Sequence, residues 1–247
     1  MIQDTGYVLK IRDYGEKDKI ITFFTYNHGK ITAFAKSAAK SLKRFGSKLE
    51  IGVKLNITLL SIKENRLKNL QKIEIAEQFP SFRSDLNQFT LLSIFLELID
   101  KISAEDDQNK TAFMLLDSAI SFIPRCKKND NLLFSFQLKL ITLSGFGLNL
   151  TNCNICNSTM ENEFNFILDS NSFVCAKCMQ NVSGKCIQLN EGIKKTILIL
   201  LNLNLNQCER VIINSNYSKI IATILQNNIR EIIGSDLMSF DFFKFIP

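Results

Sequence analysis

The sequence predicts an α+β chain: a small N-terminal β-barrel, then an all-α domain interrupted by a four-cysteine insertion. Three observations predict it. Short runs rich in Ile, Val, Thr, Phe and Tyr recur up to about Ala76. After Pro80 the apolar residues fall instead at the three- and four-residue steps of helices. Between Gly145 and Asn190 that spacing stops in a polar, Asn-rich stretch that carries most of the 7 cysteines. The length of 247 residues suits one large or two modest domains.

Taken in order, the strand-like runs are Tyr7 to Tyr14, Ile20 to Tyr26, Ile31 to Ala35, Lys54 to Ile62 and Leu67 to Ala76. Their β-branched and aromatic residues suit a pleated, half-buried surface. Asn27-His28-Gly29 between the second and third runs is a hairpin signal, because Asn and Gly tolerate positive φ. Five short strands with one long irregular connection after the third suggest a closed or half-open barrel of the OB-fold kind. The helical pattern then appears in Leu91, Leu92, Phe95, Leu98, Ile99 and Ile102, in Leu133, Phe136, Leu140 and Leu143, and in Tyr217, Ile220, Ile221, Ile224 and Leu225. Asp130 is a candidate N-cap and Gly234 a candidate C′ residue. The expected organisation is a barrel domain over residues 1–79 and a helical domain over 80–247, with the insertion at about 149–183.

Charge is unevenly placed. The net charge of +6 resolves into 15 Lys and Arg against 8 Asp and Glu in residues 1–80, giving +7, and 15 against 16 in the rest, giving −1. Within the basic third, Lys36, Lys40, Lys43, Arg44 and Lys48 stand in one connection with no acidic residue before Glu50. Five cations without counter-charges suit a phosphate backbone, and the same run also reads as a solvated loop. Tyr26, Phe34 and Phe45 could stack on bases or belong to the barrel core.

Cys153-x-x-Cys156, eighteen residues and Cys175-x-x-Cys178 make the most specific signal in the chain. Two such knuckles fill the four tetrahedral positions of Zn2+. Four thiolates leave no open coordination position, so one structural zinc is expected rather than a catalytic one. Cys126, Cys186 and Cys208 have no paired spacing and read as packing residues. No phosphate-binding loop, dinucleotide-binding glycine pattern, nucleophile elbow or metalloprotease helix is present, and the single histidine, His28, lies on a predicted turn. The sequence therefore argues for a binding protein and not an enzyme. Its N-terminus lacks the charged and apolar regions of a secretion signal, and no apolar run reaches the ~20 residues of a membrane span, so cytoplasmic residence is expected.

Several segments together resemble the bacterial recombination mediator family RecO. Gly29-Lys-Ile-Thr-Ala-Phe-Ala-Lys36, the basic stretch and Arg44-Phe-Gly-Ser-Lys-Leu49 are similar to that family's glycine, basic and S-R-F-G-x-L segment. Leu143-Ser-Gly-Phe-Gly-Leu148 leading into the two cysteine pairs, and Leu237-Met-Ser-Phe-Asp-Phe-Phe near the end, resemble two further family segments. The chain departs from the pattern at Ser37, where the family carries Gly, at Leu148, which stands near a family Pro, and at Asn171-Ser172, where it carries Gly-Gly. The resemblance implies binding of single- and double-stranded DNA without sequence preference and annealing of complementary strands. It also implies, together with RecR, loading of RecA on strands coated by single-strand-binding protein, whose C-terminal tail the family holds, in a cytoplasmic, nucleoid-associated protein. The alternative from the residues alone is a zinc-stabilised OB-fold module that binds RNA.

Overall fold

The computed structural model describes residues 1–38, 41, 45–60 and 68–240. They form two compact units, one comprising residues 1–124 with the stretch from Leu237, the other Arg125–Asp236.

The first unit holds five strands, β1 (Ile2–Tyr14), β2 (Asp18–Thr25), β3 (Gly29–Ala35), β4 (Lys54–Leu60) and β5 (Lys68–Glu77). They close into a barrel in the order β1-β2-β3-β5-β4, with β1 returning to β4. Every pairing is antiparallel except β3 with β5, which runs parallel through Ala33–Lys68 and Phe34–Asn69. That is the OB-fold closure the sequence predicts. β1 begins at Ile2 rather than Tyr7, because Ile2 to Tyr7 pair with β4 while Gly6 to Tyr14 pair with β2. One strand thus serves two neighbours, and its register shifts between Val8 and Lys10 where it bends from one to the other.

Period-2 alternation builds the core. Ile21 and Phe23 of β2, Ile31, Ala33 and Ala35 of β3, and Leu55, Ile57 and Leu59 of β4 point inward with Val8, Phe45, Val53, Leu70 and Ile73. Burying each of the larger side chains stabilises the barrel by about 1.5–3 kcal/mol. Phe45 is thereby settled as core. The alternate residues face outward, and they form the candidate site.

Two helices of the same unit, α1 (Leu86–Ile102) and α2 (Lys110–Phe122), cover part of that outer surface. Asp85 caps α1 by accepting from Asn87 N and Gln88 N, and Asn109 caps α2 by accepting from Ala112 N. Phe113 of α2 lies with its ring centroid 5.9 Å from Tyr7, 6.1 Å from Phe24 and 5.5 Å from Tyr26. At the hairpin before β3, Gly29 has φ +66°, and a Cβ there would sit 1.8 Å from the Asp107 carbonyl oxygen. Only glycine lets the loop between α1 and α2 approach the barrel this closely.

The second unit is built on α3 (Asn129–Leu143), which is buried along most of its length. Its Ser135 Oγ donates to Leu200 O at 2.7 Å and its Asn131 Nδ2 to Cys208 O at 2.9 Å. Asp130 is not the N-cap: the helix starts one residue earlier, Lys128 precedes it, and Asp130 lies in the first turn, accepting from Ser218 Oγ. The chain continues through β6 (Glu163–Ile167), β7 (Ser172–Cys175), α4 (Ala176–Met179), β8 (Cys186–Asn190), α5 (Glu191–Asn202) and α6 (Ser215–Ile233). Asn190 and Asn214 cap α5 and α6, and Gly234 ends α6 in the left-handed region at φ +70°, as expected of a C-terminal glycine. Among the described residues no helix is long and apolar enough to cross a membrane.

Candidate functional site

The outward residues of β1, β2 and β3 line up in rows across the barrel. Lys10 stands opposite Thr22, and Thr22 opposite Thr32. Arg12 stands opposite Ile20, and Ile20 opposite Phe34, while Tyr14 closes the surface at the end of β1.

One end of this surface is clamped by acids. Asp100 of α1 takes the Lys10 ammonium, and its backbone oxygen accepts from Lys30 Nζ at 2.6 Å. Glu105 accepts from Thr32 Oγ1 at 3.2 Å, and Asp106 pairs with Lys68 at 2.5 Å. Asp117 of α2 pairs with Lys54 at 2.5 Å and accepts the Tyr7 hydroxyl at 2.7 Å. Burial, followed by the hydrogen bond to Asp117, raises the Tyr7 pKa far above its usual value, so the phenol stays neutral and donating. Lys10, Lys30, Lys54 and Lys68 are therefore structural cations, however basic the first third of the chain is in sum. The hairpin is held on the same principle: buried Asp4 accepts from Asn27 N at 3.0 Å and lies 2.6 Å from His28 Nδ1. His28 thus serves the turn.

The other end is open. Arg12 and Tyr14 are exposed at the end of β1, as is Lys17 in the following turn. Arg12 and Lys17 make no ion pair among the described residues. Sequence reasoning passed over these three, although the alternation of Leu9 and Ile11 with Lys10, Arg12 and Tyr14 marks which side faces water. Of the five cations expected to bind, Lys36 is exposed just beyond β3 and Lys48 is half-buried in a 3-10 turn, while Lys40, Lys43 and Arg44 lie outside the described residues. Ser37 holds φ +57° with its N–H donating to Asp18 Oδ1 at 2.7 Å. The left-handed turn that a glycine would adopt freely is retained here by a serine with a specific partner.

The second unit carries the cysteine cluster. The Sγ atoms of Cys153, Cys156, Cys175 and Cys178 all lie within 4.8 Å of one another. Cys156 and Cys175 are 3.8 Å apart, which matches the edge of about 3.8 Å expected for a sulfur tetrahedron with metal–sulfur bonds of about 2.3 Å. The first knuckle is a tight turn: Asn157 N donates to Cys153 O at 2.9 Å, and Ile155 N points at Cys153 Sγ at 3.5 Å. The second places Cys175 at the end of β7 and Cys178 one turn into α4. Hydrogen bonds from Ser158 bring the Cys156 thiol down to about 6, and Cys178, bonded to Cys156, is pushed up to about 12. The donor set is that of a closed tetrahedral metal site, and these four residues can hold a metal ion.

The insertion is more than a metal loop. β6 pairs with both β7 and β8, and Phe166 and Phe173 pack with ring centroids 5.0 Å apart inside this sheet. Its polar composition conceals this small aromatic core. Asn171, at one of the positions where the resembled family carries glycine, holds φ +45°, a conformation asparagine tolerates. Of the unpaired cysteines, Cys208 is buried as expected and Cys126 partly so, but Cys186 is exposed on β8 and does not pack.

The chain matches the family model for the recombination protein O N-terminal domain over residues 1–79 and the one for its C-terminal domain over residues 83–239. The DNA repair protein RecO of Syntrophus aciditrophicus is 27% identical over 237 residues, covering 95% of this chain and 92% of that protein. RecO of Bacillus pumilus is 32% identical over 178 residues (72% and 68%), and that of Pelobacter propionicus 30% over 173 (70% and 70%). With both domain models matched in sequence order over a barrel and a helical, cysteine-bearing region, the chain belongs to the recombination protein O family of DNA repair proteins.

Proposed function

We propose that this chain is a non-enzymatic mediator of recombinational DNA repair, binding single- and double-stranded DNA through its barrel and annealing complementary strands. The observation that carries the reading is the open end of the barrel, where Arg12 and Lys17 are exposed and make no ion pair among the described residues and Lys36 is exposed just beyond β3; Lys40, Lys43, Arg44 and Lys48 follow Lys36 in sequence. Such cations bind by displacing counterions from phosphates, and this favours no base sequence. Strands neutralised in this way can be brought together with their base edges free to pair.

Family membership extends the reading to partners. With RecR, the chain helps load RecA on strands covered by single-strand-binding protein and engages that protein's C-terminal tail, in the cytoplasm at the nucleoid. The metal is one zinc, held by Cys153, Cys156, Cys175 and Cys178. It crosslinks two knuckles and supplies folding free energy rather than chemistry. Elemental analysis is expected to return about one zinc per chain.

The direct test of function is annealing of complementary oligonucleotides, bare and coated with single-strand-binding protein. Acceleration in both cases is expected. No acceleration in either, with the chain folded, contradicts the proposal, and tight binding to RNA alone points to an RNA module instead.

A further inference from the structure

We infer that Tyr14 is the residue on which this chain stacks unpaired bases, and that it sets the preference for single strands over duplex. The inference rests on the DNA-binding reading above and names that site's aromatic contact.

The aromatic side chains of the barrel sort by what covers them. Tyr7, Phe23, Phe24 and Phe45 are fully buried. Tyr26 packs edge-on to Phe113 and carries the Lys110 ammonium 5.0 Å from its ring centroid. Phe34 is half-buried. Tyr14 is 58% exposed. The other exposed aromatic side chains among the described residues, Phe89 and Phe146, belong to α1 and to the stretch after α3 rather than to the strands of the barrel.

Tyr14 is also held in place. Its ring meets Phe34 edge-to-face, with centroids 5.8 Å apart and planes at 87°. In such a pair Phe34 covers at most one face of the tyrosine, and the contact restricts the ring before any ligand arrives. A restrained ring loses little entropy on stacking. Arg12 projects from the same side of β1 two residues earlier, and Lys17 follows across the Gly15 turn. A ring with a free face between unpaired cations is the arrangement that single-strand binding uses, with phosphates held by charge and a base held by stacking.

Strand discrimination follows from what a duplex offers. Its phosphates are as available as those of a single strand, but its base faces are stacked on one another. Arg12 and Lys17 therefore contribute to both forms, and Tyr14 to the unpaired form alone. Stacking also releases no counterions, so the ring's share of affinity is independent of salt.

The test measures affinity of the full chain for an oligo(dT) strand and for a closed hairpin duplex over a range of salt. Tyr14→Ala is expected to weaken oligo(dT) binding about 5- to 150-fold, the range for loss of one stacked base. Duplex affinity and both salt slopes should stay at wild-type values, and Tyr14→Phe should restore oligo(dT) binding because the hydroxyl takes no part. The chain holds no tryptophan, so Tyr14→Trp places a single indole at the site, whose emission should change with oligo(dT) and not with the duplex. Unchanged oligo(dT) affinity in Tyr14→Ala, or equal losses for strand and duplex, overturns the inference while leaving DNA binding in place. A wild-type chain that binds neither ligand overturns the DNA reading and this inference together.

Discussion

The two ends of the barrel's outer surface are made by strands of one barrel with the same alternation of inward and outward side chains, yet their cations do opposite things. At the clamped end, Lys10 and Lys30 meet Asp100, and Lys68 meets Asp106. At the open end, Arg12 and Lys17 make no ion pair among the described residues, although Asp13 and Glu16 are exposed next to them in sequence and Asp13 pairs with Lys19. The difference teaches that a regional charge excess is not a footprint. The +7 of residues 1–80 counts four lysines that hold the following two helices and the loop between them in place, and only the cations left over are available to a polyanion.

If the clamped end is structural, breaking it should cost stability and leave DNA affinity alone. The largest effect is expected at Gly29, where alanine must displace the Asp107 carbonyl and also take up a left-handed φ. Gly29→Ala should destabilise the first unit by at least about 3 kcal/mol, read as a fall in the urea midpoint. Asp100→Asn should cost about 2–3 kcal/mol, between the values for buried and exposed pairs, because Asp100 is largely buried while Lys10 is partly exposed. Among the folded molecules of that variant, oligo(dT) affinity should be unchanged. A loss of affinity there would erase the distinction between the ends. The smallest effect is expected at the edge of the open end, where Ser37→Gly relieves a left-handed serine and should raise stability by about 0.5–1 kcal/mol, provided the backbone bond to Asp18 persists.

Much of this was legible in the chain itself, where geometry is local. The five strands announce themselves through period-2 runs, and the metal site through two identical cysteine spacings, because each depends on neighbours in sequence. What was not legible depends on distant partners. The sequence predicts a first run beginning at Tyr7, but Gln3 to Gly6 are also strand because β4 lies beside them, and Asp4 is buried because the Asn27–His28 turn donates to it. Asp130 resembles a helix cap, but α3 starts ahead of it. The division of the lysines could not be read either. Nothing in the spacing of Lys10 or Lys30 announces that an aspartate from α1, 90 or 70 residues on, will reach them. The aromatic core of the insertion was hidden by its many asparagines, several of which serve as caps and turns rather than as solvated surface.

The central claim is that DNA is held by the open end and its neighbouring connection and not by the clamped lysines. The measurement that tests it most directly is the dependence of oligo(dT) affinity on salt in the wild type and two variants, Arg12→Ala with Lys17→Ala, and Lys40→Ala with Lys43→Ala and Arg44→Ala. Each lost phosphate contact should flatten the slope of log K against log salt by about 0.7, so the double variant should lose about 1.4 and the triple about 2.1. Slopes equal to wild type in both variants would contradict the account.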